Sequence, residues 1–439
     1  MLPRRQQPRA GRGAGRRPGA VLPSPRRVAP PAAARAPQMT EPVAGIPSLP
    51  RPDPPRPWWT GGQYSLVRVL LGTGLATWFV TVAPGAWRAA RGQSAVETGA
   101  GDVAAVGLAL TGALAALLFA AGIGDRASAL TVVAAGTLLT SAGLAAPGAG
   151  GLAIAGVLLA HLATPPAPYG SWAARGRPDP SVGWAPGRGW WHAVWIVLAL
   201  AHIDAAARAF AGAPATGVDP GRILTGALAI VLPVAALIPR LRAGAFVGAG
   251  LLMVGWSIGA PAAATPWAAT GAVAFLVALL FGFDPAWVPG RRGGTPAVLF
   301  YDGACGLCHR AVRFVVAEDA RGETFRFAPL QSGLLERRLD EAQRRDLPDS
   351  LVVLTADGRI LTRAAAVRFT LGALGGWWTI IARLGSLLPR SAGDALYDIV
   401  ARGRRRWFAA PAGVCPVVSP SLRQRFLDQG QEAGRKAVP

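Results

Sequence analysis

The sequence is short of charge, and above all of lysine and acidic residues. Only 15% of its 439 residues are charged, against about a quarter in a typical soluble domain. Lys436 is the only lysine, so nearly all cations behind the formal net charge of +22 are arginines. They cluster in the N-terminal tail and in loops, as in membrane proteins, rather than on one face or helix as in nucleic-acid readers. We therefore expect a protein of the lipid bilayer, with no nucleic acid as partner.

Cysteine is scarce too, and the three that occur are Cys305, Cys308 and Cys415. An odd number, with two of them close together, excludes a scaffold stapled by disulfides. The sequence also shows no ATP-binding loop and no serine-type triad. A C-x-x-C pair near a strand–helix pattern indicates redox chemistry or half of a metal site.

Both ends of the chain are compositionally simple, which predicts disordered tails over residues 1–57 and 429–439. The first 38 residues hold nine arginines and no acid. They lack the continuous apolar stretch of a signal peptide. The alternative is a polybasic arm on an anionic membrane surface. Met39 is a second candidate for the start of translation.

The region 58–290 is apolar in blocks of about 17–20 residues, roughly the length a helix needs to cross a ~30 Å hydrocarbon core. This predicts an all-α, multi-pass transmembrane domain of about eight helices. The predicted spans are Ser65–Ala83, Val103–Ala121, Ala127–Ala145, Gly148–Thr164, Trp190–Ala207, Ile223–Pro239, Ala243–Gly259 and Trp267–Phe283.

The arginines also predict the orientation of these spans. With the N-terminus in the cytoplasm, the even-numbered loops and the segment after the last span collect most of the loop arginines. The opposite loops are uncharged or mix arginine with acid. We therefore expect a bacterial cell-membrane protein with both ends inside. The inside arginines are Arg126, Arg175, Arg177, Arg188, Arg240, Arg242, Arg291 and Arg292.

A few polar and aromatic residues stand out in this region. His161, His202 and Asp204 are candidates for a proton or ligand role, although His202 and Asp204 fall where the interface could solvate them. Trp190, Trp191, Trp195 and Trp267 suit an aromatic belt at the membrane interface. The loop Pro165–Gly189, with its Tyr-Gly-Ser-Trp stretch, resembles a loop of DoxX-like membrane domains, which implies a link to redox proteins.

The period changes at about residue 295. Ala297–Phe300 predicts a buried strand, Cys305 and Cys308 open a helix, and alternation at Phe325 and Phe327 predicts a second strand. A helix over Leu335–Arg345, a hairpin of Leu351–Thr355 and Arg359–Thr362, and a helix over Ala364–Leu374 follow. This order predicts an α/β thioredoxin-like domain over residues 295–428. Trp377–Leu388 is too short for a span and should pack on the domain or lie at the membrane surface, with Arg402, Arg404, Arg405 and Arg406 binding head groups.

The position of the dithiol has chemical consequences. The unpaired N–H groups and the dipole at a helix N-terminus stabilise a thiolate and lower its pKa. Cys305 is therefore the expected attacking thiolate, and Cys308, one turn on, the thiol that resolves the mixed disulfide. His309 is a candidate for tuning the pair. Asp302 is close enough in sequence to accept the Cys308 proton.

Tyr301-Asp302-Gly303-Ala304-Cys305-Gly306-Leu307-Cys308 resembles the D-x-x-C-x-x-C signature of the DCC family of thiol-disulfide oxidoreductases. Segments at Phe327–Ser332, Leu388–Arg390, Tyr397–Ala401, Arg406–Phe408 and Cys415-Pro416 are similar to later parts of that family. The resemblance implies a thioredoxin-like fold and dithiol–disulfide exchange through Cys305 and Cys308, with Asp302 as the motif acid. It departs from the wider thioredoxin pattern in having no clear proline directly before the Leu351 strand, Pro348 being the nearest.

Other functions for these cysteines remain open. Cys305–His309 also spells C-x-x-C-H, a haem attachment pattern. Cys305, Cys308, Cys415 and His309 could bind zinc, although the second well-spaced pair is missing. An inert structural dithiol is a third possibility. The leading hypothesis is a membrane-tethered thiol-disulfide oxidoreductase without cofactor or metal, acting on an unknown protein thiol or disulfide. The rival is a membrane transport or sensing protein whose C-terminal domain regulates it or binds zinc.

Overall fold

The chain is mostly helical, with one small sheet near its C-terminus. The computed structural model describes residues 59–92, 100–142, 150–177, 179–180, 184–211, 220–236, 238, 240–259, 266–291, 296–319, 321–339, 341–345, 347–348, 350–408 and 420–427. The predicted tails, Met39 and Cys415 lie outside these residues.

In the described part of residues 59–291, a helix coincides with each of the eight predicted apolar segments. Two of them contain a stretch long and apolar enough to cross a membrane, Gly61–Ala83 and Val103–Ala121. Passage of all eight through a bilayer stays a prediction. The helices are α1 Gly61–Gly92, α2 Ala100–Ala121, α3 Asp125–Ser141, α4 Gly150–His161, α5 Arg188–Ala211, α6 Pro220–Ala235, α7 Arg242–Gly259 and α8 Pro266–Leu279.

Helix α1 is the central element of this helical part, because it packs against both α2 and α8. Small residues allow the close approach of α1 and α2. A Cβ added at Gly72 would stand 2.7 Å from the Ala116 carbonyl and from the Ala120 methyl group, so glycine is needed there. The remaining helices follow in a chain of neighbours, with α4 against α5, α5 against α6 and α6 against α7.

Three predicted tryptophans of the aromatic belt, Trp190, Trp191 and Trp195, are buried instead of facing lipid. Trp190 packs edge-on against Trp59, and the indole N–H groups of Trp191 and Trp195 donate to the Gly282 carbonyl at 3.2 and 3.0 Å. The prediction was wrong for these three, because neighbouring helices offer ring and carbonyl partners to the indoles that periodicity does not reveal. The Trp267 side chain lies outside the described residues.

Residues 296–427 contain the predicted strand–helix–strand–helix–hairpin–helix order. The sheet has strand order β2-β1-β3-β4, with β1 parallel to β2 and antiparallel to β3, and β3 antiparallel to β4. Its strands are β1 Ala297–Tyr301, β2 Phe325–Pro329, β3 Val352–Leu354 and β4 Ile360–Thr362. Its helices are α9 Gly306–Glu318, α10 Gly333–Arg338, α11 Glu341–Arg345, α12 Arg363–Leu374, α13 Gly376–Gly385, α14 Arg390–Trp407 and α15 Pro420–Arg423.

The sheet has a core on each face, as the two-residue period of β1 requires. Leu299 and Tyr301 belong to the same core as Cys305 and as Cys308 and Val312 of α9, which we call the dithiol helix. Phe300 points to the other face, into a core with Leu335 and Leu339. The alternation therefore places the dithiol helix and the α10 segment on opposite sides of the sheet.

One predicted element differs from the structure, and another packs where it was expected. The single helix expected over Leu335–Arg345 is split into α10 and α11, because Leu339 adopts an extended conformation (φ −120°, ψ 141°) to enter the core. Trp377–Leu388 overlaps α13, which packs against α12 as expected and also contacts α1.

The C-terminal segment extends the sheet edge, since Phe327 N–H donates to the Arg425 carbonyl at 2.8 Å.

Candidate functional site

Cys305 occupies the position immediately before the first residue of α9, as the sequence predicted. Its backbone is extended (φ −102°, ψ 118°), and its carbonyl accepts the His309 N–H at 3.1 Å, which closes the first helical turn. Both Cys305 and Cys308 are free thiols and are buried, at 3% and 9% exposure. The four first-turn N–H groups of a helix lack intrahelical partners and carry partial positive charge. A thiolate formed at Cys305 would meet that charge.

The environment of Cys308 favours the protonated thiol over the thiolate. Burial raises its pKa to about 12, and the neighbouring Cys305 thiol adds to the effect. A backbone hydrogen bond with Asp302 and the charge of Arg404 act in the opposite direction. At neutral pH, Cys308 therefore holds its proton and needs a base or a change of environment before it attacks.

The Asp302 carboxylate is buried and engaged by three groups. Oδ1 accepts the Ala304 N–H at 2.9 Å and the Gln331 side-chain amide at 3.1 Å. Oδ2 lies 3.6 Å from Nη2 of Arg404. The part of Asp302 bonded to Cys308 is its backbone. The carboxylate thus holds the turn before the dithiol in place, and its role as acceptor of the Cys308 proton stays a prediction.

His309 is buried behind the same turn. Its Nε2 lies 2.8 Å from the Gly303 carbonyl, and because a carbonyl can only accept, Nε2 carries the hydrogen. Its ring stands edge-on to Tyr301, with centroids 5.7 Å apart. These contacts show a positioning function, since they link the helix to the turn that carries Asp302.

Two residues of the site were missed by sequence reasoning, Arg404 and Gln331. Gln331 accepts the Gly303 N–H at 3.2 Å and donates to Asp302, so it spans the turn. Arg404, predicted as a head-group ligand, is 3% exposed and points at Asp302. Arg404 follows Tyr397 by seven residues and shares its helix face, but only the structure shows what that face packs against. Tyr397 accepts the Leu351 N–H at 2.8 Å, which places that face on the domain.

The alternative of a metal site finds no set of ligands in the described residues. No group of three or more His, Cys, Asp and Glu residues that could hold a metal ion occurs there. Nε2 of His309 is bonded to Gly303. Cys415, the third cysteine of the hypothetical zinc site, lies outside the described part of the chain.

The far end of the dithiol helix meets the helical part. Glu318, the last residue of α9, is 5% exposed and accepts hydrogen bonds from the Thr60 hydroxyl, from Gly62 N–H at 2.9 Å and from the Trp378 indole at 2.5 Å. Burial raises its pKa against the effect of these donors. The carboxyl group of Glu318 therefore joins the dithiol helix to the start of α1. Glu318 also lines a cavity of about 720 Å³, together with Arg242 and Arg291.

The candidate residues of the helical part do not lie near the dithiol in sequence or by any described contact. Nδ1 of His161 is hydrogen-bonded to the Tyr64 hydroxyl, and its Nε2 lies 3.7 Å from Asp125. His202 is 2% exposed, with Nδ1 2.6 Å from the Leu198 carbonyl. The expectation that solvent at the helix end reaches His202 was wrong, because α5 continues to Ala211. Asp204 is half-buried.

A C-x-x-C dithiol that opens the helix of a β–α–β unit defines the thiol-disulfide oxidoreductase class of domain. The family of DCC1-like thiol-disulfide oxidoreductases matches residues 299–410. A protein of Bacillus subtilis (strain 168), "Uncharacterized protein YuxK", is 33% identical over 131 residues, which are 30% of this chain and 93% of that protein. The chain therefore belongs to the DCC1-like family through its C-terminal part. No solved structure matches the chain. The likeness of the Pro165–Gly189 loop to DoxX-like domains stays a prediction.

Proposed function

We propose that this protein is a membrane-anchored thiol-disulfide oxidoreductase that reduces a disulfide in a partner protein through Cys305 and Cys308. The observation that carries the proposal is the difference between the environments of Cys305 and Cys308. Cys305 immediately precedes the dithiol helix, beside its unpaired N–H groups, whereas burial holds the pKa of Cys308 at about 12. One thiol is thereby placed to attack and the other to stay protonated until it is needed.

The proposed reaction moves two electrons from the dithiol to the partner. The Cys305 thiolate attacks one sulfur of the partner disulfide, forming a Cys305–partner disulfide and releasing the other partner sulfur as a thiolate. Cys308 then loses its proton and attacks Sγ of Cys305, forming the Cys305–Cys308 disulfide and releasing the second partner thiolate. Both thiol protons end on the partner. A small-molecule or protein thiol reductant must regenerate the pair.

The anchoring in a membrane rests on what the helical part exposes. Large apolar side chains face outward on its helices, at exposures that a water-soluble surface seldom repeats over so many neighbouring positions. They include Leu110, Leu114, Leu117, Ile196, Leu200, Ile230, Val231, Val234, Val247 and Leu251, with Leu251 at 68% exposure. A bilayer would cover this surface without any partner protein. The two long apolar stretches, in α1 and α2, add support.

The arginine distribution favours a cytoplasmic C-terminal domain. The cytosol is reducing, so reduction of a partner disulfide fits that side better than the formation of structural disulfides. A cysteine introduced at Arg175, which is exposed, should be unreactive to a membrane-impermeant maleimide in intact cells, and one introduced at Pro147 should react. The background lacks Cys305, Cys308 and Cys415. The reverse pattern would place the domain outside.

A trapping experiment tests the exchange reaction. In membranes from cells expressing the full chain, Cys308→Ser in a Cys415→Ser background should accumulate a mixed disulfide through Cys305 that dithiothreitol releases. The matched Cys305→Ser variant should trap nothing and should lose insulin-disulfide reduction. Retention of insulin reduction by Cys305→Ser would overturn the proposal.

The second candidate, a transport or sensing protein regulated by its C-terminal domain, is favoured by the polar chain Tyr64–His161–Asp125 inside the helical part. Such chains mark ion or ligand pathways in membranes. The two functions differ in what the cysteines contribute. If a cellular phenotype of deleting the gene is restored by the Cys305→Ser/Cys308→Ser variant, the helical part acts without the dithiol.

A further inference from the structure

The helical part contains a buried guanidinium group with an empty edge. Arg68, on the second turn of α1, is 0% exposed. Its Nη1 lies 3.3 Å from Oδ1 of Asp125, which is a single, long contact. Its Nε and Nη2 are buried and have no hydrogen-bond partner. A buried charge with unsatisfied N–H groups is costly, so this arrangement calls for a further partner.

The two empty nitrogens are on the same edge of the guanidinium. By the naming convention of the group, Nη2 lies on the side to which the Nε hydrogen points. This edge presents two parallel N–H bonds. In this geometry an arginine binds two oxygens of a carboxylate or phosphate through two hydrogen bonds. Asp125 contacts only Nη1, so Nε and Nη2 are left without a carboxylate partner.

Two buried hydroxyl groups without hydrogen-bond partners belong to segments that pack near Arg68. The hydroxyl oxygens of Ser65 and Ser171 are buried, have no hydrogen-bond partner and belong to residues at 5% and 3% exposure. Ser65 precedes Arg68 by three residues and shares its helix face. Ser171 approaches from the loop after α4. Each hydroxyl can donate one hydrogen bond to an anion.

Glycines allow these groups to approach the backbone closely. A Cβ added at Gly122 (φ +68°) would stand 2.5 Å from Cβ of Ser171 and 2.7 Å from Nη2 of Arg68. A Cβ at Gly170 (φ +91°) would stand 3.4 Å from the Ser65 hydroxyl. Gly122 therefore lets Ser171 come close to the guanidinium, and Gly170 lets its loop come close to Ser65.

We propose that Arg68, Ser65 and Ser171 form a binding site for a small oxyanion, with two of its oxygens on Nε and Nη2 of Arg68 and a serine hydroxyl on each side. Carboxylate, bicarbonate, sulfate and phosphate share this chemistry. The complete burial of Arg68 restricts the ligand to a small solute and excludes a head group still attached to its lipid. The site does not depend on the proposed dithiol chemistry.

Isothermal titration calorimetry of the full chain in nanodiscs tests the site, with formate, bicarbonate, sulfate and phosphate as separate titrants and chloride at equal ionic strength. We expect one of the four to bind with one site per chain. Arg68→Lys keeps the charge near Asp125 but loses the two-pronged edge, so affinity should fall at least tenfold. Ser171→Ala should weaken binding several-fold, and Cys305→Ser/Cys308→Ser should not change it.

The matched control is Arg126→Lys, since Arg126 is a neighbouring exposed arginine with one bond, at 3.5 Å, to the Thr164 carbonyl. It should bind as the unmodified protein does. Absence of one-site binding for all four anions would overturn the proposal, and so would equal binding by Arg68→Lys. If Arg68→Lys fails to fold, as judged by near-ultraviolet circular dichroism, an unchanged affinity in Ser171→Ala overturns it instead.

Discussion

Nη2 of Arg404 lies 3.6 Å from Oδ2 of Asp302, and the two side chains are only 4% and 10% exposed. This pair ties α14, near the end of the domain, to the turn that carries the dithiol. The Arg404 charge also lowers the pKa of Cys308. The contact therefore contributes to the stability of the domain and also affects the chemistry of its cysteines.

Arg404→Gln should destabilise the domain by about 3 kcal/mol, because it leaves the Asp302 carboxylate buried without its cation. It should also slow the attack of Cys308 on the mixed disulfide, since the pKa of Cys308 rises further. Urea unfolding and single-turnover kinetics measure the two effects. Arg404→Lys should restore most of the rate. The control Arg402→Gln, at an exposed position two residues earlier, should change stability by less than about 0.5 kcal/mol.

The rate of resolution should increase with pH without a plateau below about pH 10. Burial is the largest cause of the raised pKa of Cys308, about 12, and it persists when Cys305 is in a mixed disulfide. Reaction with an aromatic disulfide releases one coloured thiol on attack and a second on resolution, so the second phase reports Cys308. Cys308→Ser should release only the first. A plateau near pH 8 would contradict the raised pKa.

The His309→Gln variant distinguishes a positioning role of the His309 side chain from a role of its charge. A glutamine amide can still donate to the Gly303 carbonyl, which His309 Nε2 reaches at 2.8 Å, but it cannot become charged. If His309 acts by position, the rate of Cys305 alkylation should change by less than about three-fold. The dependence of that rate on pH should keep the same midpoint. His309→Ala, which loses the bond, should destabilise the domain by about 1–3 kcal/mol. A pH profile shifted in the glutamine variant would instead support a tuning charge.

Glu318→Gln should change how stability depends on pH. Burial raises the pKa of Glu318 above its ordinary 4.5. Above pH 4.5 the unfolded chain gives up this proton while the folded protein keeps it, so the free energy of unfolding falls as pH rises through that window. The variant should lack this fall, seen as a shallower slope of Tm against pH from 4.5 upward in detergent micelles.

Asp357→Asn is the control for Glu318→Gln, because it has the opposite sign. Asp357 is exposed, and its hydrogen bond with Thr355 lowers its pKa below 3.8. Its contribution to stability is present above pH 3.8 and is lost as pH falls, so the slope above pH 4.5 should not change. Equal slopes in Glu318→Gln and the unmodified protein would show that Glu318 is ionised in the folded state.

The local sequence was sufficient for the order of elements and for the position of the dithiol. Alternation at Phe325 and Phe327, the buried run Ala297–Phe300 and the placement of Cys305 before an amphipathic helix are local patterns, and the structure has each of them. The split of the predicted helix at Leu339 was not predictable, because the competing demand comes from a core that forms only when the sheet is assembled.

The sequence by itself determined which residues carry the chemistry, since the C-x-x-C spacing and the apolar blocks are properties of neighbouring residues. Only the tertiary structure decided what surrounds them. Arg404 and Asp302 are 102 positions apart, and Glu318 meets Thr60 across 258 positions. Such pairs depend on how helices pack, and an arginine in a polar run looks the same whether it faces water or a buried carboxylate. Burial and partner identity are therefore properties of the folded chain, and the pKa of Cys308 follows from them.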